Sequence, residues 1–192
     1  AETEGFVRET LPPKHPYAKV VVTPAGQIQP QTWLLGSSGQ SAAWAGEQGM
    51  DYAYAQFFTG RQDTGIMDHY RAHLSDGFPG RTLSAVCVSA APTRQEALEQ
   101  SLMAANFRVS LGAGRPVTFV TASQMDAETR SLLTSYVLSN EDTIFVGDYD
   151  EVADKLTAFQ DAHHVDELML ISYIDNVQTK VERYRQLAKR LI

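Results

Sequence analysis

Trp33-Leu34-Leu35-Gly36-Ser37-Ser38-Gly39-Gln40-Ser41 is the run from which the architecture can be argued. A short apolar run ends in a turn of small residues, and Ala42, Ala43, Trp44 and Ala45 then open a helical pattern. Strand, tight turn and helix start, in that order, aim unpaired backbone N–H groups at whatever lies beyond the turn, a geometry that suits an anion. Gly36 and Gly39 let the backbone approach closely, and Ser37, Ser38 and Ser41 add hydroxyl donors. The same residues also read as an ordinary serine-capped helix. Their surroundings have to decide.

Working outward, the unit repeats. Ser38 to Gln48 reads as a helix closed by Gly49, and Tyr52 to Phe58 as a second strand rich in β-favouring aromatics. Thr64 to Leu74 is helical, and Gly77-Phe78-Pro79-Gly80 turns the chain. Thr82 to Ser89 is a third strand, continuously apolar at Ala85-Val86-Cys87-Val88, as expected of a strand covered on both faces. Thr93-x-x-Glu96 is a capping box that opens a helix towards Arg108, and Ala127 to Leu138 forms another. Thr143 to Val146 is a short extended piece. Asp148-x-x-Glu151 caps a helix with Val152, Leu156 and Phe159 on one stripe. Glu167 to Ile174 is the last strand and Asn176 to Ile192 the last helix. Upstream, Ala1 to Gln31 is a proline-punctuated lead-in, with Thr3 to Thr10 as the tail of a helix and Lys19 to Thr23 extended. Alternating strands and helices predict right-handed βαβ units and a parallel sheet of four core strands, starting at Trp33, Tyr52, Thr82 and Glu167.

The 192 residues predict a single domain, a lead-in over 1–31 followed by βα units over 32–192, with enough apolar residues (43%) for a substantial core. A formal charge of −7 argues against a nucleic-acid or anionic-membrane partner, which needs a basic face. It leaves open a single phosphate held by backbone donors. Cys87 is the only cysteine, inside the apolar run Leu83 to Ala90, and reads as a buried inert thiol in a reducing compartment. With no run of about 18 apolar residues and no basic-then-apolar leader, the expectation is a soluble cytoplasmic protein.

Trp33-Leu-Leu-Gly-Ser-Ser-Gly-Gln-Ser-Ala42 followed by Gly49-Met-Asp-Tyr-Ala-Tyr-Ala-Gln-Phe-Phe58 resembles the bacterial luciferase-like monooxygenase family. Ala91-Pro-Thr-Arg-Gln-Glu-Ala97, Phe145-Val-Gly-Asp148 and Val165-Asp-Glu-Leu-Met-Leu170 follow in the order and approximate spacing of that family's carboxy-terminal part. The resemblance implies an α/β fold, half of a (β/α)8 barrel with four parallel strands and outer helices. It also implies chemistry in which reduced FMN and oxygen oxidise a small organic substrate. Gly36, Ser37, Ser38, Gly39 and Ser41 become cofactor-binding residues at the flavin phosphate, with Gln56 and Phe57 facing the isoalloxazine ring. Plain barrel core is the competing reading for the last pair. A full barrel takes about 250 residues. The first four strands, which in the family carry the histidine near the flavin's reactive centre, have no counterpart here, so no catalytic residue is assigned. Pro79-Gly80 stands where the family usually has Pro-Ser, and Lys180 and Arg183 where an Arg and a Ser are common.

Four strands without the other four would leave two unpaired edges and an apolar inner face. A homodimer that closes a barrel, a separate complementary half-barrel chain, and a sheet whose edges the lead-in covers are the three expected solutions. A flavin reductase would be the source of reduced FMN. A non-catalytic flavin- or phosphate-binding half-barrel and a purely structural half-barrel remain as alternatives. Elsewhere, His69 and His73 have a metal-compatible spacing but read as a solvated helix face, and no metal site is assigned. His163 and His164 follow a helix, Asp166 and Glu167 open the last strand, and Lys180 to Arg190 form a basic helical tail; each reads as structural.

Overall fold

A computed structural model describes residues 2–21, 31–59 and 65–192. In chain order the elements are α1 (Glu2–Val7), β1 (Trp33–Gly36), α2 (Gly39–Glu47), β2 (Asp51–Tyr54), α3 (Gln56–Thr59) and α4 (Gly65–Ala72). There follow β3 (Thr82–Ala91), α5 (Arg94–Gly112), a 3-10 turn at Ala122–Gln124, α6 (Ala127–Leu138), β4 (Ile144–Asp148), α7 (Tyr149–His163), β5 (Glu167–Ile171) and α8 (Val177–Leu191).

The four expected strands are β1, β2, β3 and β5, hydrogen-bonded in that order and all parallel, with helices packed against them. The expected short extended piece is β4, a fifth parallel strand laid along the far half of β3. Cys87 pairs with Ile144 of β4 and also with Ile171 of β5, while Leu83 and Ser84 pair with both β2 and β5. Hence β2 and β4 follow one another along one edge of β3, and β5 takes the other. A ten-residue β3 is what makes room for both.

Register and side-chain alternation separate two faces. Leu34, Tyr52, Tyr54, Val86, Val88, Leu168 and Leu170 share one core with Ala42 and Ala45 of α2, Ile66, Met67 and Tyr70 of α4, Val152, Leu156 and Phe159 of α7, and Leu187 of α8. The alternate residues face the other way. There, Cys87, Ala91, Ile144 and Val146 pack under α5 and α6, whereas Leu35 on β1 and Met169 on β5 stay 62% and 52% exposed.

Local chemistry explains the elements. Asp148 caps α7 by accepting from the amides of Asp150 (3.1 Å) and Glu151 (2.9 Å), and Val152, Leu156, Phe159 and His163 are the buried stripe. His164 ends that helix in the left-handed region, φ 51°. Thr93 caps α5 through the Glu96 amide at 3.2 Å. Gly46 lets α2 rest on α4: a Cβ there would lie 2.7 Å from the His73 carbonyl oxygen.

Some boundaries differ from expectation. The second strand stops at Tyr54 rather than Phe58: the Ala55 amide makes the last rung to β1, at the Gly36 carbonyl (2.8 Å), β1 ends there, and Gln56 turns into α3. Within the lead-in, α1 occupies the expected helical stub. Lys19 lies in a turn, Val20 and Val21 are irregular, and the rest of the expected 19–23 extension lies outside the described residues. Among the described residues no helix is long and apolar enough to cross a membrane.

Candidate functional site

The serine turn leaves the carboxyl end of β1, beside the carboxyl end of β2, where parallel α/β sheets place their ligands. Ser38 is the N-cap of α2 and forms a reciprocal box with Ser41. The Ser41 amide donates to Ser38 Oγ (3.3 Å), the Ser38 amide to Ser41 Oγ (3.2 Å), and Ser41 Oγ to the Ser38 carbonyl (2.7 Å). Tyr52 reaches up from β2 so that its hydroxyl lies 3.2 Å from Ser41 Oγ and donates to the Ser38 carbonyl at 3.4 Å. Gly36 is needed for this clasp, since a Cβ there would lie 2.1 Å from Ser41 Oγ.

Two of the turn's amides are therefore held by its own serines. Among the described residues, no side chain takes the amides of Ser37, Gly39 or Gln40, and Ser37 and Gln40 are exposed. Gly39 faces the imidazole of His69 on α4, whose nearest ring carbon would be 3.4 Å from a Cβ placed on it. His69 and His73 stack at 4.4 Å, and among the described residues no group of three His, Cys, Asp or Glu is placed to hold a metal. The surroundings fit a phosphate: exposed backbone donors, the Ser37 hydroxyl, an N-terminal helix dipole and an imidazole.

Gln56 and Phe57 come next along the rim, joined to the turn through the Ala55–Gly36 bond. Gln56 is fully buried and points inward, its Nε2 donating to the Thr143 carbonyl at 3.2 Å. Phe57 is half-buried against the core beneath α5 and α6. Arg108 of α5, 8% exposed, ties Phe57 to the Thr143 carbonyl that Gln56 also uses: its Nε donates to the Phe57 carbonyl (3.1 Å), Nη1 to Thr143 Oγ1 (3.1 Å) and Nη2 to the Thr143 carbonyl (3.0 Å). Sequence reading missed Arg108, Thr143 and the Tyr52 hydroxyl. Its signal for Arg108 was a lone cation between Phe107 and Val109 in an otherwise apolar run of α5.

Burial pushes the Cys87 thiol up to about 11, with Arg108 pulling the other way; it is an inert core group as expected. Burial, then Asp51 and Asp166, push the Tyr70 phenol up to about 12, and its hydroxyl donates to the Met50 carbonyl at 2.9 Å. Asp166 is a strand clamp, accepting from the Thr82 amide (2.7 Å) and hydroxyl (2.8 Å). His163 is buried against the Phe159 ring.

These residues make half of a (β/α)8 barrel with a serine turn on its carboxyl rim, and the proteins it is similar to include luciferase-like monooxygenases. No family model matches the chain. The N-acetyl-S-alkylcysteine monooxygenase of Bacillus subtilis (strain 168) is 27% identical over all of this chain and 58% of its own length. The crystal structure of apo-MsnO8 superposes with a TM-score of 0.67 at 28% identity, covering 95% of this chain and 57% of that one. The oxygenating constituent of 3,6-diketocamphane monooxygenase from Pseudomonas putida, solved in complex with FMN, shares the fold at a TM-score of 0.55 and 17% identity. The chain thus spans little more than half the length of the first two of these proteins, and the resemblance read from its sequence is borne out.

Proposed function

We propose that this chain is the carboxy-terminal half of an FMN-dependent monooxygenase of the luciferase-like kind, and that its serine turn grips the flavin phosphate. The observation that carries the reading is the set of open amides at Ser37, Gly39 and Gln40 on the carboxyl rim, flanked by His69. Reduced FMN, when bound, supplies the electrons with which dioxygen is activated. The chain's own part is to bind and to shield. The Ser37, Gly39 and Gln40 amides hold the phosphate, whereas the expected contacts from Ser38 and Ser41 are spent on closing the turn, which Gly36 keeps tight. Phe57 lies on the ring side, and Gln56, drawn inward by Thr143, fixes the rim beneath it rather than offering its amide. Closure of the open sheet face by a second copy, or by a separate complementary half-barrel, would exclude water, and a flavin reductase would deliver the reduced cofactor.

The test is titration of FMN with the purified protein, read by flavin fluorescence. Quenching by FMN but much less by riboflavin, which lacks the phosphate, is the expected result, and Ser37→Asp should abolish it by like-charge repulsion. Equal quenching by both flavins would remove the phosphate assignment. Oxygen uptake with a flavin reductase, NADH and an S-alkylated N-acetylcysteine, the compound class in the Bacillus relative's name, then separates an enzyme from a binder. Light scattering at twice the chain mass supports self-closure, and a monomer would point to a separate half. The closed Ser38–Ser41 box favours a second reading, in which the turn only caps α2 and the half-barrel is structural. Absence of any flavin binding would leave that one standing.

A further inference from the structure

Tyr52 does more than fill the core. It is fully buried, and its ring stacks on Tyr70 at 5.6 Å and 24°. Tyr70 is itself anchored, through the bond from its hydroxyl to the Met50 carbonyl. The Tyr52 phenol is thereby delivered from β2 to the underside of the serine turn, 3.2 Å from Ser41 Oγ and 3.4 Å from the Ser38 carbonyl. A phenylalanine would supply the same ring and the same stacking. What the tyrosine adds is a hydroxyl, which needs a partner when enclosed and meets the turn.

The atoms it meets set its effect. The Ser38 carbonyl accepts from the Ala42 amide (3.1 Å), the ordinary first bond of α2, and also from Ser41 Oγ (2.7 Å) and from Tyr52. Of these three donors, Tyr52 alone lies outside α2. Helix ends fray, and a bond to a side chain fixed in the core resists that. In a trans peptide the C=O and the following N–H point in opposite directions. Holding the Ser38 carbonyl down, into the fold, therefore holds the Gly39 N–H up, off the rim. The Ala55 amide, bound to the Gly36 carbonyl at 2.8 Å, does the same for Ser37, whose N–H must face away from β2. Two of the three open amides are thus aimed by residues that follow one another along β2 and its end, neither of which belongs to the turn.

We infer that Tyr52 is a positioning residue for phosphate recognition: its hydroxyl holds the Ser38–Gly39 peptide so that the Gly39 amide meets the anion. Being fully buried, it touches no phosphate itself. The inference rests on the phosphate reading proposed above, and inorganic phosphate reports on it without any flavin.

The test is Tyr52→Phe, which keeps the ring and removes one oxygen. The full chain, labelled with ¹⁵N, is titrated with inorganic phosphate, and the Gly39 amide resonance of the wild type is expected to move. In the variant the phosphate affinity read at Gly39 should fall about fivefold, the loss of one neutral hydrogen bond. FMN affinity should fall by the same factor and riboflavin binding should not change, whereas a purely structural role would alter both flavins alike or neither. Amide exchange at Gly39 and Gln40 should also quicken in the free variant. An unchanged ratio of FMN to riboflavin affinity overturns the role of Tyr52 and leaves the flavin reading standing. Phosphate binding that weakens in the variant, with no flavin bound by either protein, keeps Tyr52 and removes the flavin. Phosphate that moves no amide of the wild-type turn removes both.

Discussion

The two faces of this sheet share one hydrogen-bond ladder and yet are finished differently. On one, Tyr52, Val86 and Val88 are fully buried beneath α2, α4, α7 and α8, helices supplied by the chain segments between and after the strands. On the other, α5 and α6 cover the far half of β3 and β4, while Leu35 and Met169 are left in the open on the two outermost strands. The difference teaches where stability and function part company. The covered face is packed by the chain's own helices; the open one is apolar, its outer strand edges have no strand partner among the described residues, and it is suited to another set of strands.

Substitutions can break or sharpen that contrast. Leu156→Ala on the covered face should cost about 2–5 kcal/mol, measured by urea unfolding, because it empties a fully enclosed site. Arg108→Met comes next, at about 2 kcal/mol, since the Phe57 carbonyl loses its guanidinium donor and the Thr143 carbonyl keeps only Gln56; an unchanged midpoint would show that water replaces the guanidinium. Ser38→Ala removes the α2 cap for about 1 kcal/mol. Met169→Gln on the open face should move stability by less than about 0.5 kcal/mol, while lowering any self-association seen by light scattering. Should it destabilise as much as Leu156→Ala, the open face would be closed after all.

A pH series adds a direction. Tyr70 and Cys87 are neutral when protonated, and both hold their protons more tightly folded than unfolded. Their contribution is therefore full below the unfolded values of 9.0 for the thiol and 10.0 for the phenol, and is lost as pH rises towards about 11 and about 12. Urea midpoints should hold below pH 9 and fall steadily above it. Tyr70→Phe should flatten the upper part of that fall, though it also removes the bond to the Met50 carbonyl.

Much of this was written locally in the chain. The boundaries of α6, the caps at Thr93, Asp148 and Asn176, and the paired glycine turn at Gly77 and Gly80, both at positive φ, follow from neighbouring residues alone. The end of β2 did not. Phe57 and Phe58 have strand-favouring side chains, but β1 turns away after Gly36, so the bond from the Ala55 amide to the Gly36 carbonyl, nineteen positions upstream, is the last rung they could have extended. Which of the two readings of Gln56 its side chain would follow was not legible locally: its partner Thr143 is separated by 87 positions, and Arg108 and Thr143 by 35, distances at which no sequence period speaks. The serine turn was visible because its chemistry is contiguous, whereas His69 reaches it only through the packing of α4 on α2.

β3 carries three neighbours, two in file along one edge and one along the other. During synthesis its second edge must wait for Glu167–Ile171, which emerge some eighty residues later. Until then the nascent sheet shows a bare, apolar flank, so a ribosome-bound chain stopped before β5 should recruit chaperones more strongly than one stopped after α8. In the finished protein the same strand should be the last to give up its amide hydrogens to deuterium.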